Sequence, residues 1–307
     1  MPQSGPRAVQ KRRDGKALDD LDRPQNSVVG GGGFVRVGCM NQLPALFSLQ
    51  GKVALITGGA RNLGYDIASS LAEAGADVII TSRQQASAAT ASGVLGGQYK
   101  VDTLGLELDQ RRHEAVAAAV AAAHAWKGRI DILVNNAGGG SGQSAGNIFE
   151  RSPADVEELV QTNLIGVLHC CQAVGKLMAA RRTGKIINIA SIAGLLGRDR
   201  RMYERHQMKG QPVDYAAAKA GVLGLTRDLA GALSPFGVHV NAISPGGFAR
   251  ENLPPGFIQD YSDRTPLGRM GRDGVDLKGA ALFLAAPASD YITGQNLVVD
   301  GGFSIWH

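Results

Sequence analysis

Cysteine, aromatic residues and charge are all scarce in this 307-residue chain. The three cysteines, Cys39, Cys170 and Cys171, are too few and too poorly spaced for a disulfide framework or a zinc site. No metal centre is therefore expected, and a reducing, cytoplasmic setting fits best. Aromatics make up 5% of the chain, so any core must be built from aliphatic residues and alanine. Charged residues amount to 19% against 44% apolar, which argues against a wholly disordered chain. No run of about 18 consecutive apolar residues occurs, so no membrane span is expected. Glycine is abundant instead, with 42 residues and no three-residue period of the collagen kind.

The formal charge of +5 invites a nucleic-acid reading until the charges are located. Residues 1–47 hold seven bases (Arg7, Lys11, Arg12, Arg13, Lys16, Arg23, Arg36) and four acids (Asp14, Asp19, Asp20, Asp22). The remaining 25 bases and 23 acids leave the rest of the chain at only +2. With no basic-aromatic stripe either, a nucleic-acid partner is not expected. Residues 1–47 are polar and aperiodic and read as a flexible tail. Their basic cluster is not followed by an apolar segment, so a secretory signal fits poorly. Met40 stands just before the first organised segment and reads as an alternative start of translation.

From residue 48 to 307, short apolar runs alternate with helical patterns. The strand candidates are Val53–Thr57, Val78–Thr81, Leu104–Leu108, Ile132–Asn135, Lys185–Ala190, His239–Ile243 and Asn296–Val299. Continuous apolar runs of this length suit strands covered on both faces. Helical patterns fall at Gly64–Ala74, Arg111–Trp126, Val156–Ala180, Tyr215–Leu233 and Val275–Ala285. The alternation predicts an α/β fold of one domain: a Rossmann-type, doubly wound, seven-stranded parallel sheet. Val156–Ala180 and Tyr215–Leu233 are apolar on nearly every face, as expected of helices covered by the sheet on one side and a second subunit on the other.

After the first strand comes TGGARNLGYDIA, Thr57–Ala68. Glycines here let a backbone approach a pyrophosphate at a helix N-terminus, although a plain tight turn would need them too. The spacing Gly58-x-x-x-Asn62-x-Gly64 resembles the TGxxxGxG motif of the short-chain dehydrogenase/reductase family, with Asn62 in place of the middle glycine. Asn tolerates the left-handed region best among non-glycine residues. The resemblance implies that Gly58, Arg61, Asn62, Leu63 and Gly64 hold the cofactor. The second strand ends in Ser82-Arg83, where an NAD-preferring fold usually carries an acid. Arg61 and Arg83 together suit a 2′-phosphate through forked, charge-assisted bonds, unless either is merely surface charge. NADP(H) is therefore expected over NAD(H). Asp109 matches the family's adenine-binding acid. Asn135-Asn136-Ala137-Gly138 matches its NNAG motif, which closes the adenine pocket and stabilises the central sheet.

Tyr215 and Lys219 are four residues apart and share one helix face. At about 4 Å, an ammonium favours a phenolate by about 4 kcal/mol, which would carry tyrosine towards a working pH. Tyr-x-x-x-Lys alone is common, and a partly buried Tyr beside a surface Lys explains most instances. Ser191 lies at the end of the fifth strand, and Asn163 within the long apolar helix. The family resemblance implies a tetrad. Tyr215 would be the acid/base, Ser191 would hold the substrate oxygen, Lys219 would bind the nicotinamide ribose, and Asn163 would hold a relay water. An Asn that merely satisfies backbone at a helix irregularity is the other reading of Asn163. Ser244–Phe248, SPGGF, resembles the family's PG motif and implies nicotinamide contacts from Pro245, Gly246 and Phe248. Arg250 stands where many members have Thr, and Asp300-Gly301-Gly302 matches the C-terminal DGG turn.

Ser191 and Tyr215 are 24 positions apart, where the family has about a dozen. The insert, Gly197–Asp214, carries Arg198, Arg200, Arg201, Arg205 and Lys209 against Asp199 and Glu204 between Arg198 and Lys209. It must pass the substrate mouth, and reads either as a cationic lid over a polyol, sugar or sugar acid or as an ordinary solvated loop. SPGGF and RTPLGRMGR lean towards gluconate 5-dehydrogenase-like members. The expected function is NADP(H)-linked hydride transfer between a ketone and a secondary alcohol. A 3-oxoacyl-thioester reductase and a non-catalytic cofactor-binding regulator are the alternatives. A homodimer or homotetramer is expected from the family.

Overall fold

Each apolar run of the sequence becomes a strand in the computed structural model, which describes residues 42–139 and 147–306; the inner strands are buried on both faces and the two edge strands only in part. Met40 and the rest of residues 1–41 lie outside those residues, but the tail expected to run to residue 47 is corrected at its end, where Gln42–Leu46 form a short helix, α1, and Phe47 packs against the core. The sheet strands are β1 (Val53–Ile56), β2 (Asp77–Ser82), β3 (Thr103–Glu107), β4 (Ile132–Asn135), β5 (Gly184–Ile189), β6 (Val238–Pro245) and β9 (Asn296–Val299). They pair in parallel in the order β3-β2-β1-β4-β5-β6-β9. A two-residue ladder, β7 (Phe248–Ala249) with β8 (Gly271–Arg272), stands beside the sheet order.

Successive strand residues alternate faces, and each face has its own core. Ile56, Ile80 and Val134 pack with Ile67 and Leu71 of helix α2 (Asn62–Glu73) and Leu284 of α10 (Lys278–Ala285). Leu55, Leu133, Ile186 and Val240 pack on the other face. There they meet Val116 and Val120 of α4 (His113–Lys127), Val174 of α6 (Gly166–Arg181) and Val222 of α8 (Val213–Leu233). The strand order reverses between β1 and β4, which opens a crevice at their C-terminal ends, the usual ligand position in such sheets.

Three departures from the sequence reading stand out. Helix α3 (Gln85–Tyr99) was not anticipated, because three glycines, two serines and a threonine interrupt its four alanines and leave little apolar stripe. It forms because Ala88, Ala91 and Leu95 bury against the sheet, and Gly105 of β3 lets the helix backbone approach: a Cβ there would lie 2.5 Å from the Ala88 carbonyl carbon. The long helix predicted at 156–180 is three pieces: α5 (Pro153–Val160), a π turn at Gln161–Ile165, and α6. This stretch is apolar and long enough to cross a membrane, yet α6 covers the sheet through Val167, Cys170, Cys171, Val174 and Met178. Finally, the insert holds a short helix, α7 (Arg200–Arg205), instead of an open loop.

Candidate active site

At the crevice, Gly58 and Asn62 both take the left-handed conformation, φ +62° and +51°. Asn62 thus does what a glycine would do at that turn. Residue Arg61 precedes α2 in extended conformation and gives the helix no side-chain cap. The first N–H groups of α2 are left to meet an anion. Gly64 is required by close approach: a Cβ would lie 2.4 Å from both Asn136 Nδ2 and the Gly58 carbonyl oxygen. Asn136 donates to the carbonyls of Thr57 and Gly58 at 3.0 and 3.1 Å. The backbone N–H groups of Asn136 and Ala137 donate to Thr57 Oγ1, each at 3.0 Å. The two cofactor motifs are thereby stitched together, and Leu63 packs into the core below them.

Arg61 and Arg83 are exposed, and neither is ion-paired among the described residues. A cleft of about 530 Å³ is lined by Arg61, Asn62, Tyr65, Ser87 and Thr90. Ser82 closes β2 with its hydroxyl accepting from the Gln84 N–H at 3.3 Å. Asp109 is already engaged: Arg111 grips its carboxylate, at 2.6 Å from Nη2, and holds it below the usual carboxylate range, with a smaller contribution from Arg83. An uncapped helix end, a glycine-lined turn and two arginines form a donor set that fits a dinucleotide with a 2′-phosphate.

One hydrogen-bond network and one close approach place α8. Asn135 at the end of β4 donates to Asn188 of β5 at 2.8 Å, and Asn188 donates to Thr226 of α8 at 3.0 Å. All three are buried, so each bond replaces a costly unsatisfied group. Farther along, Gly194 lets the turn after Ser191 touch α8: a Cβ there would lie 2.7 Å from the Lys219 carbonyl carbon. Ser191, Tyr215 and Lys219 converge as expected. Ser191 Oγ accepts from the Ala193 N–H at 3.1 Å and hydrogen-bonds Tyr215. Lys219 Nζ is 3% exposed by residue, donates to the Ile189 carbonyl at 2.7 Å and lies 5.8 Å from the Tyr215 ring centre.

The electrostatics differ from the sequence expectation. Burial raises Tyr215 above its ordinary value, outweighing the lowering by the Ser191 bond and by Arg198. Burial also lowers Lys219 to about 8. Without cofactor, the ammonium lies 5.8 Å from the ring centre and is itself desolvated. The strong lysine-driven fall of the tyrosine is therefore not established in the chain alone.

Asn163 is fully buried in the π turn. Its Nδ2 donates to the carbonyls of Leu159 and Gly139, and its Oδ1 accepts from the Gly139 N–H. Both side-chain donors thus serve backbone groups, and a water would find only the second Oδ1 lone pair. Gly138 has φ +150°, and a Cβ on it would lie 2.6 Å from Asn163 Oδ1. Asn163 thereby fixes the Gly138–Gly139 end of the NNAG loop.

On the substrate side, Pro245 is buried at the end of β6, Gly246 packs on Asp300, and Phe248 is nearly buried. Tyr261 of α9 (Pro255–Asp263) was missed by the sequence reading. Its hydroxyl accepts from the Gly247 N–H at 2.7 Å and so holds the SPGGF loop. The i,i+4 aromatic pair Phe257/Tyr261 was its available signal. Gln110 was missed as well: it donates to the carbonyls of Ala137 and Thr162 at 3.0 and 2.7 Å. Arg250 pairs with Asp273 at 3.3 Å.

The insert anchors through Met202, 2% exposed, which packs with Phe257, Tyr261 and Met270. Much of its positive charge is neutralised. Arg201 pairs with Asp199, Arg205 with Asp260, and Asp199 also pairs with Arg264. Arg198 is different. Its guanidinium carbon lies 5.6 Å from the Tyr215 ring centre.

A family model described as enoyl-(acyl carrier protein) reductase matches residues 58–304. A 3-oxoacyl-[acyl-carrier-protein] reductase of Vibrio harveyi is 37% identical over 260 residues, spanning 83% of this chain and 98% of that protein. A gluconate 5-dehydrogenase of Gluconobacter oxydans is 36% identical over 269 residues, spanning 85% and 98%. The crystal structure of a gluconate 5-dehydrogenase from Burkholderia cenocepacia, in complex with NADP and tartrate, matches with a TM-score of 0.77 at 36% identity. That match covers 86% of this chain and 99% of the other. With the Ser-Tyr-Lys convergence and the glycine loop in place, the chain belongs to the short-chain dehydrogenase/reductase family of oxidoreductases.

Proposed function

We propose that this chain is an NADP(H)-dependent oxidoreductase that interconverts a ketone and a secondary alcohol on a small polar substrate of the polyol, sugar or sugar-acid type. The observation that carries the reading is the meeting of Ser191, Tyr215 and Lys219 in a chain whose glycine loop carries Arg61 and whose β2 end carries Arg83, near enough to act on Asp109. The bound cofactor supplies or accepts the hydride at the substrate carbon. Tyr215 supplies the proton to the substrate oxygen during reduction and removes it during oxidation. Because burial raises Tyr215, the phenol is protonated at neutral pH, which suits the reducing direction. Ser191, whose oxygen already accepts from Ala193, directs its own O–H towards a substrate oxygen. Lys219 would bond the ribose hydroxyls and add positive charge near the phenol once a cofactor is in place. Asn163 keeps the loop between them in register. Two arginines at the adenosine end, with Ser82 where an acid would reject a phosphate, support NADP(H) over NAD(H).

Relatives at 37% identity that reduce 3-oxoacyl carrier proteins favour a second reading, an acyl-thioester reductase. The charged Arg198 at the mouth favours the polar substrate, and tartrate in the Burkholderia complex is itself a hydroxy acid. Dimers or tetramers, as usual in the family, are part of the proposal, and light scattering of the purified protein checks that. The main test is NADPH-linked turnover over a panel of ketones, keto acids and 3-oxoacyl thioesters. Tyr215→Phe should lose about 100-fold or more. A preference for thioesters would select the second reading. Absence of turnover on every substrate would leave a cofactor-binding regulator.

A further inference from the structure

Arg198 leaves the catalytic Ser191 arm and comes to rest over the catalytic Tyr215, with its guanidinium carbon 5.6 Å from the ring centre. It is half-buried, with Tyr203, Tyr215 and Tyr261 near enough to act on its charge, and burial disfavours that charge. A buried guanidinium is normally matched by a carboxylate. Among the described residues, Arg198 has none. Its bond there is one donor, Nη1, to the Gln211 carbonyl at 2.9 Å, which leaves most of its five N–H donors without a protein acceptor. The neighbouring arginines show that acids were available. Asp199 serves Arg201 and Arg264, and Asp260 serves Arg205 and His206. The same pairs fix the insert in place, together with Met202 in its apolar seat. Gln211, at the far stem of the insert, ties Arg198 to the segment entering α8. The guanidinium is thus preorganised at one side of the mouth, within a small-molecule length of the reacting oxygen.

We infer that Arg198 is a specificity-determining residue that binds the carboxylate of the substrate, making the insert a selector for hydroxy acids and their keto acids over neutral polyols and ketones. This rests on the oxidoreductase reading above and narrows its substrate class. A forked guanidinium gives two parallel bonds to a carboxylate, which a lysine cannot reproduce. The Tyr215 face fixes the plane of the fork, and a carboxylate bound there would restore the missing counter-charge.

The experiment uses the full chain saturated with NADP+ and titrates four- to six-carbon hydroxy acids, gluconate and tartrate among them, against the polyols of the same skeletons. Sorbitol 6-phosphate is the phosphate arm. The expected result is binding of at least one acid about tenfold or more tighter than its polyol. Arg198→Gln should erase that preference and leave polyol binding unchanged, and Arg198→Lys should restore only part of it. Turnover measured alongside should show the loss as a raised KM for the acid alone; the upward shift of the pH profile from removing the Arg198 charge that lowers Tyr215 should be the same for acid and polyol. Acids and polyols that bind alike would overturn the proposal. So would an Arg198→Gln loss that is equal for both, which would assign Arg198 to tuning Tyr215 alone. Stronger binding of the phosphate ester would overturn the carboxylate assignment. If the acid preference depends on Arg198 but no alcohol is ever oxidised, the oxidoreductase reading fails while the binding site stands.

Discussion

Removing the Lys219 charge should change how stability depends on pH, in a direction the buried site dictates. Lys219 is 3% exposed, its ammonium donates to the Ile189 carbonyl, and no carboxylate pairs with it among the described residues. Burial lowers it from 10.5 to about 8. That gap amounts to about 3 kcal/mol, at roughly 1.4 kcal/mol for each tenfold change in proton affinity. Between about pH 8 and 10.5 the unfolded chain holds this proton more tightly than the folded one, so folding releases protons and stability rises with pH. Below pH 8 the group is charged in both states and the full penalty is present. From pH 7 to 9.5 the cofactor-free protein should gain about 2 kcal/mol from this group alone. Lys219→Met keeps the apolar stem and cannot titrate. Urea unfolding of both proteins at pH 7, 8, 9 and 9.5 gives the difference directly, and tyrosines and other groups cancel in it. The wild type should gain on the variant by about 2 kcal/mol over that range. Parallel curves, within about 0.5 kcal/mol, would refute the reasoning and place Lys219 in a better solvated setting.

Arg83→Ala should lower kcat/KM with NADPH by about tenfold or more and leave NADH within about twofold, measured by initial rates. Gly64→Ala should abolish NADPH fluorescence titration, because its Cβ would lie 2.4 Å from Asn136 Nδ2 and the Gly58 oxygen. Asp214→Asn removes one carboxylate paired with Arg151, whose side chain is 3% exposed and which keeps Asp155, and should destabilise the protein by about 1–2 kcal/mol in urea. Alcohol oxidation should accelerate from pH 7 upwards to higher pH than carbonyl reduction tolerates, because a raised Tyr215 must lose its proton to act as base.

Continuous apolar runs made the sheet legible, because a parallel strand covered on both faces has few other uses for residues such as those of Val53–Ile56. Helix α3 was hidden, since its fold depends on Gly105 of a later strand admitting Ala88. Motif spacing found Ser191, Tyr215 and Lys219, but could not register that burial acts on both Tyr215 and Lys219 in the chain alone. Counting charges in the insert suggested a cationic lid. Asp260, 55 residues beyond Arg205, removes part of that charge, and such a partner is visible only in three dimensions. Asn135, Asn188 and Thr226 were illegible for the same reason: three elements distant in the chain share one buried set of bonds.

The insert therefore matters less for its net charge than for where its two stems lead. One begins just after Ser191 and the other ends at Tyr215. Between them, α7 seats Met202 against Phe257 and Tyr261, and Tyr261 holds the Gly247 N–H of the SPGGF loop. A substrate that engages Arg198 would touch a frame that also holds the catalytic tyrosine and the nicotinamide-side loop. On the proposed reading, lengthening the Ser191–Tyr215 connection would add selectivity without a second domain, because the extra residues find an apolar partner in α9 and leave one guanidinium over Tyr215.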